Sequence, residues 1–402
     1  MKKRILFVDD EDKVLKGLRR MLAPKRAEWD MVFVSSGEAA LRALAEKPCH
    51  ALVADLLMPG MSGHALLQEV QRLYPEVKRI VLTGQPDREY DKETSFSAHQ
   101  YIMKPCDYET LVRVIQDILY VDSIIMDASM RQALSRIGTL PALPEIYEKI
   151  SQELEAGEPS MDKVAGLISQ DLGLTSKLIT LVNSPYYGYH REISDVRYAV
   201  MYLGLELIRT LVLTCQVFSL YDQHKIPGFS LSMLWEHGMR TACLAKRLAV
   251  SAGRGQAEAD RAFLAGLLHD IGKLILAAHF SEQYNAVLET VRRDNRSIHA
   301  VEREILGVTH AEAGAYLMGL WGVKPEIVKA IALHHSPASV SLTSTPLLET
   351  YAGNILDHVH TVIHPEYSRR EEYVDDLRKQ DLLMQIAEWE DDVLACLAKE
   401  NP

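Results

Sequence analysis

The stretch Arg4-Ile5-Leu6-Phe7-Val8-Asp9-Asp10 and its counterpart Ala51-Leu52-Val53-Ala54-Asp55 decide the fold of the first third of the chain. Each is a short apolar run that stops on a carboxylate. An apolar run without polar alternation is the pattern of a strand buried on both faces, as in a parallel sheet covered by helices. Working outward, residues 4–8, 30–34, 50–54, 78–82 and 100–103 have strand length and composition, and longer amphipathic runs separate them. Ser36 and Asp107 stand where an oxygen can cap the helix that follows. Five strands alternating with helices predict an α/β domain with a five-stranded parallel sheet.

In such a sheet, ligands bind beyond the carboxyl ends of the strands. The polar residues of interest all fall there: Asp9 and Asp10 after the first strand, Asp55 after the third, Thr83 at the fourth and Lys104 after the fifth. Carboxylates brought together repel unless a dication offsets them, and an all-oxygen donor set suits Mg²⁺. Thr83 and Lys104 are suited to hold phosphoryl oxygens, so phosphoryl transfer to Asp55 is chemically coherent. The segments Phe7-Val8-Asp9-Asp10-Glu11, Asp55-Leu56-Leu57-Met58-Pro59-Gly60-Met61-Ser62-Gly63, Leu82-Thr83-Gly84 and Tyr101-Ile102-Met103-Lys104-Pro105 resemble the receiver domains of two-component response regulators, over residues 1–120. The resemblance implies a flavodoxin-like sheet of order 2-1-3-4-5 and phosphorylation of Asp55 by a cognate histidine kinase, with Thr83 and Lys104 assisting. It also implies Mg²⁺ held by Asp9, Asp10, Asp55 and the Leu57 carbonyl, and a switch pair of Thr83 and Tyr101.

After residue 120 the strand pattern stops. Residues 121–138 read as a helical linker, and 161–172, 174–182, 193–216, 234–252, 257–278, 281–292, 297–318, 324–334 and 347–360 as helices; 367–402 is charged and helix-prone. His237, His269, His310, His334 and His335 recur across successive helices, and Asp270 adds a carboxylate beside His269. Imidazole is the commonest metal ligand, and the adjacent pairs His269-Asp270 and His334-His335 each place two donors together.

Leu267-Leu268-His269-Asp270-Ile271-Gly272-Lys273 resembles the signature of the HD superfamily of metal-dependent phosphohydrolases. Leu140-Pro141-Ala142-Leu143-Pro144, the run from Ile168 to Thr175, Val182-Asn183-Ser184-Pro185-Tyr186-Tyr187 and the run from Ile193 to Gly204 resemble the HD-related output domain, HDOD, over residues 136–340. That resemblance implies an all-α output domain (139–345, with a helical extension at 346–402) that signals by binding a partner, protein or nucleotide messenger, without hydrolysis. The alternative is a metal-dependent phosphohydrolase: His237, His269, Asp270, His310, His334 and His335 follow the ligand order of the two-metal cyclic-dinucleotide phosphodiesterases of the HD superfamily. Two departures favour the first reading. Ser336-Pro337-Ala338-Ser339 stands where a Gly-Tyr-Pro signature is expected, and Asn354 stands for the late aspartate, with Asp357 one turn on as a substitute. The expectation is therefore no transition metal, or a single ion on His237, His269, Asp270 and His310. Tyr186, Tyr187 and Tyr189 form either a turn packed on the core or, with Arg191 and Arg197, a nucleotide-stacking platform.

Composition bounds the rest. The 402 residues, 48% hydrophobic and 25% charged, are those of a globular chain of two or three domains. Five scattered cysteines without a C-x-x-C pair predict neither a disulfide framework nor a thiolate zinc site, and a cytoplasmic, reducing setting fits. A net charge of −11 and the lack of a basic recognition helix argue against direct DNA binding. Neither a signal peptide nor a membrane span is read from the pattern, and a homodimer is compatible with it.

Overall fold

The computed structural model describes residues 2–84, 98–124, 145–155, 159–183, 193, 195–221, 229–335 and 346–360. The chain divides into two compact units, one carrying the sheet and one built of helices.

The sheet unit has strands β1 (Lys3–Val8), β2 (Trp29–Val34), β3 (Ala51–Ala54), β4 (Lys78–Thr83) and β5 (Gln100–Met103), all parallel, in the order β2-β1-β3-β4-β5. The continuous apolar runs are continuously buried: every residue of β3 and β4 is inaccessible, as is Ile5 to Val8 of β1. Helices α1 (Asp12–Met21), α2 (Gly37–Glu46), α3 (Gly63–Leu73) and α4 (Tyr108–Ile124) accompany them. The expected caps form. Ser36 Oγ accepts the Ala39 N–H at 3.2 Å, and Asp107 Oδ1 accepts the Thr110 N–H at 2.7 Å. Register then fixes the business end. Val8 pairs with Ala54, and Ala54 with Val81, so Asp9 and Asp55 leave adjacent strands side by side with Thr83 on the next.

The helical unit comprises α5 (Glu145–Glu155), α6 (Met161–Ser169), α7 (Leu172–Val182), α8 (Val196–Leu203), α9 (Leu205–Tyr221), α10 (Leu231–Ser251), α11 (Gln256–Leu268), α12 (Gly272–His279), α13 (Ser281–Asp294), α14 (Ile298–Leu306), α15 (His310–Leu320), α16 (Pro325–Leu333) and α17 (Leu347–His360). Three helices expected to be continuous are each two. The 193–216 run breaks at Gly204 and the 297–318 run at Gly307, where φ is +76° and +72°, values that glycine adopts without a Cβ clash. The 257–278 run is interrupted at His269-Asp270-Ile271, a tight turn in which the Ile271 and Lys273 N–H groups bond to the Leu268 and Asp270 carbonyls.

Motif residues of the first helices serve as caps. Asp171 Oδ1 accepts the Leu174 N–H at 2.9 Å and Asp195 Oδ1 the Arg197 N–H at 2.9 Å, while Arg197 pairs with Asp162 at 2.6 Å. Asn183 receives the Ile193 N–H at 2.7 Å and donates to the Ile193 carbonyl at 2.6 Å, tying together the two ends of the tyrosine segment. Tyr186, Tyr187, Tyr189, Arg191, the Ser336–Ser339 run, most of the 121–138 linker and the 367–402 tail lie outside the described residues. One stretch, Gln256–His279, is long and apolar enough to cross a membrane, and 83% of its window is buried inside the helical unit. Its apolarity belongs to a core.

Candidate phosphoacceptor and metal sites

At the carboxyl ends of the strands, Lys104 Nζ bridges Asp9 Oδ2 at 2.6 Å and Asp55 Oδ1 at 2.9 Å. Both carboxylates are aimed by backbone amides: Glu11 N–H donates to Asp9 Oδ1 at 2.9 Å and Leu57 N–H to Asp55 Oδ2 at 3.2 Å. Burial alone would lower the Lys104 ammonium, but its hydrogen bonds to Asp9 and Asp55 outweigh it and hold the group above the usual lysine range. The strand end needs a glycine nearby, since a Cβ at Gly63 would sit 2.0 Å from the Asp55 carbonyl oxygen. Thr83 is buried at the tip of β4, its carbonyl receiving the Lys104 N–H at 2.6 Å, and Tyr101 lies half-buried against the core. Asp10 and Leu57 are exposed. The structure thus gathers Asp9, Asp55 and Lys104. Among the described residues, the side chains close enough to share one ion lie instead in the helical unit.

There the six candidates form two groups that share Asp270: His237, His269 and Asp270, and Asp270, His310, His334 and His335, with the donor atoms of each group within 4.8 Å of one another. Asp270 Oδ2 lies 3.4 Å from both His237 Nε2 and His269 Nε2, and its Oδ1 lies 3.1 Å from His310 Nε2 and 3.7 Å from His334 Nε2. The His310 expected beside His237 and His269 falls on the other side of the carboxylate. Asp270, on the turn after α11, stands between His237 of α10 and His310 at the start of α15.

Four of the five rings are oriented from behind through Nδ1, and His335 Nδ1 is buried without a hydrogen-bond partner. His269 Nδ1 donates to the Gly266 carbonyl at 2.7 Å and His334 Nδ1 to the Ile331 carbonyl at 2.7 Å. A carbonyl only accepts, so in the neutral ring the Nε2 of each carries a lone pair. His237 Nδ1 donates to Asp357 Oδ2 and His310 Nδ1 to Glu302 Oε2, both at 2.6 Å. The Nε2 atoms converge: His237 to His269 at 3.0 Å, His310 to His335 at 2.9 Å and His310 to His334 at 3.4 Å. Lone pairs facing one another repel, and a cation relieves them. Two imidazoles bound at about 2.0–2.1 Å to one ion, at angles of about 90–109°, stand about 2.8–3.4 Å apart, which matches all three separations.

Two family models match the chain: the response regulator receiver domain over residues 5–116 and the HDOD domain over residues 140–337. The chain carries a response regulator receiver domain followed by an HDOD domain. An uncharacterized protein of Treponema pallidum is 28% identical over 220 residues, 54% of this chain and 42% of that protein. The transcriptional regulatory protein YesN of Bacillus subtilis is 30% identical over 123 residues, 29% of this chain and 32% of that protein. The chain thus spans less than half the length of these relatives. Two solved structures share the fold: an HDOD domain protein of unknown function from Geobacter sulfurreducens (TM-score 0.56, 24% identity, 73% of this chain and 98% of that one), and a candidate phosphohydrolase from Shewanella amazonensis (TM-score 0.51, 22% identity, 68% and 98%).

The electrostatics of the HDOD domain favour neutral, ligand-ready rings at His269, His334 and His335. Burial holds His269 down to about 4 and His334 and His335 well below the usual histidine range, so all three are neutral near pH 7. Burial would raise Asp270, but Lys273, His269 and His310 hold it well below the carboxylate range, and Lys273 Nζ lies 2.5 Å from its Oδ2. Burial opposes a proton on His310, while the Glu302 charge and the bonds to Asp270 and Glu302 raise it.

On α17 it is Asp357, not Asn354, that meets His237, and Arg240 clasps it through Nε at 2.6 Å and Nη2 at 3.2 Å. Asn354 is buried with its Oδ1 unsatisfied. Sequence reasoning missed five residues: Arg240, His299, Glu302, and His358, whose ring centroid lies 5.1 Å from that of His237, besides Lys273, which it read only as part of a motif. A carboxylate or arginine isolated in a helix carries no signature. Lys273 and the i, i+3 pair His237/Arg240 were within reach of helical spacing.

Proposed function

We propose that this response regulator accepts a phosphoryl group on Asp55 from a histidine kinase and thereby governs a metal-dependent phosphohydrolase site in its HDOD domain. The receiver donors Asp9, Asp10, Asp55 and the Leu57 carbonyl, all oxygen, fit Mg²⁺. The mixed imidazole and carboxylate set around Asp270 fits a pair of Zn²⁺, Mn²⁺ or Fe ions. The observation that carries the reading is the sharing of Asp270 by two ligand groups whose Nε2 atoms converge, the rings of His237, His269, His310 and His334 being held through Nδ1.

When bound, such a pair supplies Lewis-acid polarisation of a phosphoryl group and of the attacking water. The chain's own residues do the positioning. Asp357 and Glu302 hold His237 and His310 with Nε2 inward, the Gly266 and Ile331 carbonyls do the same for His269 and His334, and Asp270 faces both groups. Lys273, half-buried in the first turn of α12, is placed to pair with a phosphate oxygen once Asp270 has an ion for company. Among the described residues no cysteine is in a disulfide, in keeping with a cytoplasmic setting.

A second reading, an output that binds a partner without turnover, is favoured by the internal pairing of the site's acids, Asp270 with Lys273 and Asp357 with Arg240. One experiment separates the two. The full chain with Mn²⁺, with and without beryllofluoride, is given a cyclic dinucleotide. The proposal expects multiple turnover that changes with beryllofluoride, is lost in His269→Ala/Asp270→Ala, and becomes insensitive to beryllofluoride in Asp55→Asn. Metal-loaded protein without turnover would leave the partner-binding reading.

A further inference from the structure

Helix α14 donates no ligand to either group, yet two of its residues, one turn apart, lie behind ligands of the second. Glu302 is fully buried, and its Oε2 receives both the backbone N–H of His310 at 2.8 Å and His310 Nδ1 at 2.6 Å. Its other oxygen accepts the Tyr284 hydroxyl of α13 at 3.2 Å. His299, at i−3 on the same helix, stacks on the ring of His335 with centroids 4.4 Å apart and planes at 22°. A buried carboxylate needs partners to offset the cost of leaving water. Here two of them belong to a single ligand residue, so the carboxylate holds the main chain and the ring of His310 at once.

We infer that Glu302, with His299 beside it, is a positioning residue for the ion on Asp270, His310, His334 and His335, and not for the ion on His237 and His269. The inference rests on the metal reading proposed above. Its chemistry is specific. A carboxylate fixes Nδ1–H, leaves the Nε2 lone pair free for the ion and makes the ring a stronger donor. An amide at the same place carries no charge and can turn an N–H toward the ring, which releases that orientation. The first ion has a separate support, Asp357 with Arg240, so the two sites differ in what lies behind them.

The test uses the full chain stripped by chelation and titrated with Co²⁺, read as ions bound per chain and as visible ligand-field absorption. Wild type is expected to bind two ions. Glu302→Gln should weaken one of them about 10–100-fold, the range found when a carboxylate behind a ligating histidine is lost. The absorption of the tighter remaining ion should be unchanged. His237→Ala should remove that remaining ion, and the double variant should hold neither at the same Co²⁺ concentration. Where Glu302→Gln is too unstable to isolate, Glu302→Asp, one methylene too short to reach both His310 groups, carries the same expectation. Two ions bound by Glu302→Gln with wild-type affinity and spectrum, whatever its melting temperature, would reduce Glu302 to a structural residue and overturn the inference. Wild type that takes up no Co²⁺ would instead overturn the metal reading itself, a different signature.

Discussion

At the scale of single residues, the most exacting arrangement is the triad His237, Asp357, Arg240. Asp357 is fully buried; burial would raise its carboxyl, but the hydrogen bonds and charges of His237 and Arg240 hold it at about 2 against an ordinary 3.8. A carboxylate depressed in the folded state contributes stability above its unfolded value and loses it as pH falls through the folded one. The contribution is roughly 2 kcal/mol, fully present above about pH 4–5 and lost between there and about pH 2. Asp357→Asn in the metal-free chain is therefore expected to unfold about 2 kcal/mol more easily at pH 7, with the gap from wild type closing toward pH 2, as read by denaturant titrations across that range. A gap independent of pH would mean that Asp357 acts by shape and not by charge. The six metal-capable residues were legible because histidines recur across successive helices, two of them in adjacent pairs with a second donor; the late carboxylate was narrowed only to Asn354 or its substitute Asp357. Asn354 and Asp357 sit on one helical face, and only the packing of α17 chooses between them.

At the scale of elements, the sheet was legible nearly to the residue. Strands buried on both faces announce themselves as apolar runs, and the observed bounds differ from the expected ones by a residue or two. Helices were legible as helices but not in their breaks. The expected helices 193–216 and 297–318 run straight through Gly204 and Gly307, whereas the chain uses their positive φ to change direction. The break at His269-Asp270 had no local breaker before Gly272, and the glycine there answers a tertiary need: α12 runs so close to α15 that a Cβ at Gly272 would lie 1.9 Å from the His310 carbonyl oxygen. Gly272→Ala is thus expected to push α12 away from His310 and cost metal binding out of proportion to helix content. Normal circular dichroism with the second ion lost would bear this out, and an unchanged ion count would show that the two helices give way without consequence.

At the scale of the whole molecule, a proposed phosphorylation site stands in one unit and a metal-capable site in the other. Thr83 is the residue proposed to couple them, its hydroxyl expected to assist phosphoryl transfer to Asp55 without being required for it. Thr83→Ala is expected to accept phosphate while losing most of the phosphorylation-dependent change in hydrogen exchange across residues 107–140, a coupling worth about 1–3 kcal/mol. An unchanged exchange response would move the coupling elsewhere. Family and domain order were readable from motifs along the chain, but the division of six ligands into two groups was not, since it depends on which side of Asp270 each helix end arrives. The central claim is tested most directly by elemental analysis of the full chain, purified without chelator and compared with its His269→Ala/Asp270→Ala variant. The account predicts about two transition-metal ions per chain in the first, from the two ligand groups that share Asp270, and none in the second. A wild-type chain that carries no transition metal, and takes none up from an excess of Mn²⁺, Fe²⁺ or Zn²⁺, would contradict it.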